Sequence, residues 1–233
     1  MRARSLAVWS FALAVWFASV PRAVAQDTRP GIAVLPFDYS GSYGQNAEDF
    51  AALQQGLAGM LISELAANPA ARVVERSTIN RILDEQDLGA SGRVDPQTAA
   101  RIGKLVGARY VVTGSFIDFY GDFRVDARIV AVETGEIVKS IKEQAQRDHL
   151  FQIIHNAATR LMREANLPPL PRGIEEQRSG RQIPTEALTY YSRALLFQDR
   201  GQTDRAVEMY QKALDVFPEY AEAREGLQRI RRS

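Results

Sequence analysis

Residues 111–138, VVTGSFIDFYGDFRVDARIVAVETGEIV, hold two apolar-rich runs separated by the short segment Tyr120-Gly121-Asp122. Alternation at period two on both sides of a tight turn leaves few options beyond two long antiparallel strands. In the second run Phe123, Val125, Ala127, Ile129 and Ala131 share one face, and Arg124, Asp126 and Arg128 share the other. That pattern suits a lipid-facing strand with a polar lumen as well as a strand of a soluble sheet. The apolar row, however, contains two alanines and no aromatic girdle at both ends, and Gly114 and Asp118 interrupt the preceding strand. The hairpin is therefore expected at the centre of a soluble sheet, one face on helices and one charged face free for a partner.

Around it the periodicities alternate. Gly31–Phe37 is an apolar run closed by proline, a buried strand, and a Gly/Ser/Tyr-rich turn is expected over Asp38–Asn46. Phe50, Leu53, Leu57, Met60, Leu61 and Leu65 recur at three and four residues, a helix ended by Pro69. Arg72–Glu75 reads as a brief strand, and Ser77 as the cap of a helix with Ile79, Ile82 and Leu83 inward. Asp95-Pro96 pairs a capping carboxylate with proline at the first helical position, and Gly107 is placed as that helix's left-handed stop. A third strand near Ile137–Gln144 and a helix over His149–Glu164 complete an α/β unit, a mixed sheet flanked by helices.

The ends differ from this unit. Arg2 and Arg4 precede an apolar stretch from Leu6 to Val20, and Ala23-Val24-Ala25 offers a small-x-small cleavage site before Gln26. About 15 apolar residues fall short of the roughly 20 of a spanning helix, so residues 1–25 read as a cleaved signal peptide. No later segment is apolar enough to span a bilayer as a helix, which places the mature chain in the periplasm, with peripheral outer-membrane association open. Cysteine is absent, so export to an oxidising compartment brings no disulfide and leaves no lipid-bearing cysteine. Residues 166–184 carry Pro168, Pro169, Pro171, Gly173, Gly180 and Pro184 and read as a linker, semi-rigid at its start.

Beyond the linker, residues 185–233 resemble a single tetratricopeptide repeat followed by a capping helix. With Pro218 at the repeat's thirty-second position, Ala187, Ala194, Phe197, Ala206, Tyr210 and Ala213 fall on its packing positions and Gly201 on its inter-helix turn. In that geometry the inner helix presents Leu188, Tyr191, Leu195 and Gln198, either to a partner or to the α/β unit. One repeat buries little by itself, so it must pack on something.

Residues 26–165 contain no constellation for catalysis. His149 and His155, six apart on a helix, point about 240° from each other and cannot share a metal. Thr113-Gly114-Ser115 lies within a strand, and Gly103-Lys104 has neither the upstream glycine nor the Ser/Thr of a phosphate loop. Gly56 and Gly59 mark close packing of a helix on the sheet, and Asp84, Glu85 and Asp87 with Arg81 form a solvated face. No metal or cofactor is implied. At 45% hydrophobic, 24% charged and formal net charge +1, the chain is globular and has no field for nucleic acid.

The segments Ile32–Phe37, Val74–Arg76, Ile82–Gln86 and Ala99–Ser115 (IAVLPF, VER, ILDEQ and the run ending in GARYVVTGS) resemble the CsgG curli-secretion family and its FlgO, LpoB and TolB-amino-terminal-type relatives. The resemblance covers about residues 30–145 and implies a non-enzymatic part of bacterial envelope assembly. It also places the 111–138 hairpin in the family's soluble sheet. CsgG itself is a lipoprotein channel contributing two long membrane hairpins per subunit. This chain lacks the lipid-bearing cysteine and any room for those hairpins. The expected function is binding of other envelope proteins, with homo-oligomerisation left open. A channel component and a small-ligand binder or enzyme are the alternatives.

Overall fold

In the computed structural model, which describes residues 27–43, 47–86 and 94–232, the first apolar run forms strand β1 (Gly31–Val34), buried along its whole length. Ile32 and Val34 enter one hydrophobic core while Ala33 and Leu35 enter a second on the opposite face. A strand covered on both sides can be apolar at every position, which is what GIAV supplies.

Next in the chain come β2 (Asp38–Tyr43), α1 (Ala47–Ala66), β3 (Arg72–Val73), α2 (Arg76–Glu85) and α3 (Pro96–Leu105). The hairpin supplies β4 (Tyr110–Phe119) and β5 (Asp122–Ala131), followed by β6 (Ile137–Gln146). The sheet order is β3-β1-β4-β5-β6, with β2 pairing β4 beyond the end of β1. Pairing is parallel among β1, β2, β3 and β4 and antiparallel from β4 through β6, the mixed sheet expected. A short 3-10 turn leads into α4 (Leu150–Glu164).

Register sorts the side chains of the hairpin. Val112, Gly114 and Phe116 lie opposite Ile129, Ala127 and Val125, and this face packs beneath α1 and α4. On the reverse face Val111, Val130 and Val132 pack with Ile79, Leu83, Ala99 and Ile102 of α2 and α3. Among the described residues, helices therefore cover one face but reach the other only at its β1-proximal end.

The carboxy-terminal region forms α5 (Arg172–Ser179), α6 (Thr185–Asp199), α7 (Thr203–Val216) and α8 (Ala221–Ile230). Helix α6 lies over α1 and α7 packs on α6, so α1 is a middle layer between the sheet and the last helices. Six consecutive residues, Gly56–Leu61, are buried, which only a helix covered on opposite sides can achieve.

Four local expectations are corrected. Asp38–Tyr43 is a parallel strand rather than part of a turn, held by pairing with β4. The linker contains a helix, α5. Ser77 is not a cap: α2 starts at Arg76 and Glu75 occupies the cap position without a side-chain bond. The Gly56/Gly59 approach is to α6, not to the sheet. Two helix-end expectations hold: Asp95 accepts the N–H groups of Gln97 and Thr98, and Gly107 has φ +64° just beyond α3. The signal peptide lies outside the described residues. Among the described residues, no helix is long and apolar enough to cross a membrane.

Candidate partner-binding surfaces

Two surfaces were expected to meet partners, the inner face of α6 and the polar face of the hairpin. The structure treats them differently. Leu188, Tyr191 and Leu195 are buried, and the surface they line is occupied by α1 of the same chain. The helices approach closely because α1 has no side chain at the crossing. A Cβ on Gly56 would stand 1.8 Å from Ser192 Oγ, and one on Gly59 2.8 Å from Leu195 Cδ1. Gln198, half-buried, accepts the Tyr210 hydroxyl proton at 2.8 Å. The Tyr191 ring lies 5.1 Å from that of Tyr220 and 6.1 Å from that of Tyr210. Burial pushes all three phenols up, Tyr210 to about 12, so they stay neutral and serve as packing groups.

Beside this apolar contact sits a charged one. Glu64 of α1 is buried and bonds His155 Nδ1 of α4 at 2.9 Å and Arg178 of α5 at 2.9 Å. Arg181 forms two bonds to Glu222 of α8, at 2.8 and 2.6 Å, and Ser63 donates to the same carboxylate at 2.6 Å. Burial pushes the Glu222 carboxyl up, but the Arg181 and Ser63 bonds more than offset that, and it ends below the ordinary range. The cluster joins α1, α4, α5 and α8 and pins the linker helix between the α/β unit and the last helices. His155 is committed here, whereas His149 is exposed beside Asp148. Among the described residues, no group of three His, Cys, Asp or Glu side chains could hold a metal.

Among the described residues, no helix covers the rest of the sheet's polar face. Beyond the reach of α2 and α3, its rows run Thr113–Arg128–Ser140, Ser115–Asp126–Lys142 and Ile117–Arg124–Gln144 across β4, β5 and β6. Arg124 pairs with Asp126 at 2.7 Å. Arg128 and Lys142 are exposed and have no ion-pair partner among the described residues, so this face presents two free cations amid hydroxyls. A groove of about 510 Å³ follows it, walled on one side by Leu35, Pro36 and Val94. The alternation along Phe123–Ala131 made this face legible in advance.

The hairpin tip is braced from the core side. Asp118, fully buried, accepts the Gly121 N–H at 2.9 Å and takes two bonds from Arg147, at 2.5 and 2.6 Å. The Arg147 N–H returns to the Gly121 carbonyl at 2.8 Å. A larger cleft of about 1230 Å³ lies between α4 and α5, floored by Met162, Leu167 and Leu170. The sequence offered no sign of it, because its second wall is the helix within the linker.

Comparison with solved structures finds partial likenesses. The LpoB C-terminal domain from Escherichia coli aligns at 20% identity over 53% of this chain and 87% of its own, with TM-score 0.38. TolB from Acinetobacter baumannii aligns at 16% identity over 60% of this chain and 29% of its own, with TM-score 0.41. The PelC dodecamer from Paraburkholderia phytofirmans aligns at 12% identity over 61% of this chain and 91% of its own, with TM-score 0.34. No curated protein sequence matches the chain. Residues 17–124 carry a domain that matches the model of the family described as curli production assembly/transport component CsgG.

Proposed function

We propose that this chain is a non-enzymatic periplasmic protein that binds other proteins during assembly of an envelope structure. In this reading the open polar half of the sheet is its partner-binding face. The observation that carries the reading is the pair of free cations, Arg128 and Lys142, on a sheet face that the described helices leave uncovered. A rigid strand surface positions such groups at little entropic cost, and cations without internal partners favour an acidic partner surface. The words assembly and transport in the matched family's description support the same class of role.

The last helices form, in this reading, a single tetratricopeptide repeat with its capping helix. Leu188, Tyr191, Leu195 and Gln198 then use the inner face of the repeat as such repeats use it, with the chain's own α1 as the bound helix. Cleavage after Ala25 would release the mature protein into the periplasm.

Reversing both charges, Arg128→Glu with Lys142→Glu, tests the reading. The variant should fold as the parent does and lose partner capture from periplasmic extract. Full capture by the folded variant would overturn it.

Homo-oligomerisation is a second reading, favoured by one observation: β6 ends the sheet with a ten-residue edge strand, exposed from Ile137 through Ser140. Light scattering across a dilution series separates it, since a monomer at all concentrations rules it out.

A further inference from the structure

Helix α5 has eight residues, too few to persist by propensity alone, and it buries none of them. It is held at both ends instead. Before it, Asn68 Nδ2 donates to the Pro168 carbonyl at 2.9 Å, and the Leu167 N–H bonds the Met162 carbonyl at 3.0 Å. At its far end Arg178 bonds Glu64 at 2.9 Å, and just beyond it Arg181 bonds Glu222 at 2.8 Å. Between these fixed points the cleft of about 1230 Å³ separates α5 from α4. Walls fixed in advance lose little freedom when a ligand enters.

The chain's path orders the charges along this cleft. Glu64 is bonded by Arg178 at the end of α5 and by His155 in the middle of α4, so α5 runs back along α4. Arg163 in the last turn of α4 and Arg172 at the start of α5 therefore flank the linker end. Glu175 and Glu176 follow one turn further along α5, on the Arg172 side of the helix. All four line the cleft and are exposed, and none has a side-chain hydrogen bond or ion pair among the described residues. Two other charged groups of the lining are committed, Arg160 to Glu143 at 2.6 Å and His155 to Glu64 at 2.9 Å. Met162, Leu167 and Leu170 supply the apolar floor.

Free guanidiniums and free carboxylates one helical turn apart, roughly 5–6 Å along α5, suit a ligand whose anion and cation are a few bonds apart. Guanidiniums grip phosphate oxygens in pairs, and carboxylates take the compact charge of an ammonium. The apolar floor adds a hydrocarbon tail to that description. We propose that the α4–α5 cleft binds one phosphoethanolamine-headed lipid. Its phosphate lies on Arg163 and Arg172, its ammonium on Glu175 and Glu176, and its acyl chain over Met162, Leu167 and Leu170. A purely anionic lipid would leave Glu175 and Glu176 facing its phosphate. A free amino acid would fill little of the 1230 Å³, and an extended peptide holds its terminal charges further apart than these pairs. The cleft shares none of the sheet-face cations, so the two readings fail independently.

The test is calorimetric titration of the full chain with lysophosphatidylethanolamine and lysophosphatidylglycerol, each kept below its micelle-forming concentration. The parent should bind one lysophosphatidylethanolamine per chain, about tenfold tighter than lysophosphatidylglycerol. Arg163→Ala with Arg172→Ala should weaken that binding about tenfold at an unchanged melting temperature, because neither side chain has a partner to lose. Glu175→Gln with Glu176→Gln should abolish the preference between the two lipids. Should a double variant melt lower, Arg172→Gln and Glu175→Gln singly serve the same comparison, each with a smaller shift in the same direction. No saturable binding, or equal affinity of the parent for both lipids, would overturn the proposal. So would binding at several sites, or binding that neither pair of substitutions changes. Tighter binding of the tripeptide Leu-Leu-Leu than of lysophosphatidylethanolamine would assign the cleft to peptide instead.

Discussion

Gly56 is the residue on which the joining of the two halves depends most directly. A methyl group there would overlap Ser192 Oγ, and the nearest atoms behind it belong to the Ser192 Cβ and backbone. Ser192 cannot swing aside at no cost, because its hydroxyl is buried and donates to the Leu188 carbonyl at 2.8 Å. Gly56→Ala is therefore expected to destabilise by about 1–3 kcal/mol through overpacking at the crossing of α1 and α6. Ser192→Gly added to it should restore much of that loss, since it empties the space the new methyl needs. Urea unfolding of the two single variants and the double checks this. Additive losses, with no coupling between the sites, would place the strain elsewhere.

At the scale of elements, the charged cluster sets how α8 is held against α1. The Glu222 carboxyl ionises more readily folded than unfolded, so its contribution to stability is present above the unfolded value of 4.5 and fades as pH falls through the lower folded value. Glu222→Gln should cost about 2 kcal/mol near neutrality, leaving Arg181 half-paired, and the gap from the parent should narrow at about pH 3. Urea titrations at both pH values read this directly, and a gap independent of pH would remove the carboxylate from the account. Elements with strong local signals are legible in the sequence: the Phe119–Ala131 hairpin pattern, the Asp95-Pro96 helix start and the apolar β1 run. Those that tertiary pairing creates are not. DYSGSY is polar, with Gly41 at φ +110°, and becomes β2 only because β4 lies beside it. Arg172–Ser179 has the composition of a linker yet is helical where Arg178 meets Glu64. The inner face of α6 was readable as apolar, but its occupant could not be read, since α1 shows the same spacing whether one or two of its sides are covered.

Over the whole molecule, α1 is shared between the sheet core and the helical layer above it, and His155 with Glu64 ties the same helix to α4. A helix common to two layers couples them, so the described chain should unfold in a single transition. A chain ended after residue 165 would expose the α6-facing side of α1 and should melt lower and associate, whereas two separate transitions in the intact chain would contradict the shared core. The central claim is a division of labour: the inner face of α6 binds within the chain, and the open sheet face binds outward. One paired measurement tests it, comparing melting temperature and partner capture for Tyr191→Ala with Leu195→Ala against Arg128→Glu with Lys142→Glu. The first pair should lower the melting temperature and keep capture wherever the protein stays folded, while the second should lose capture at an unchanged melting temperature. Lost capture at unchanged stability in the first pair, with full capture in the second, would contradict it.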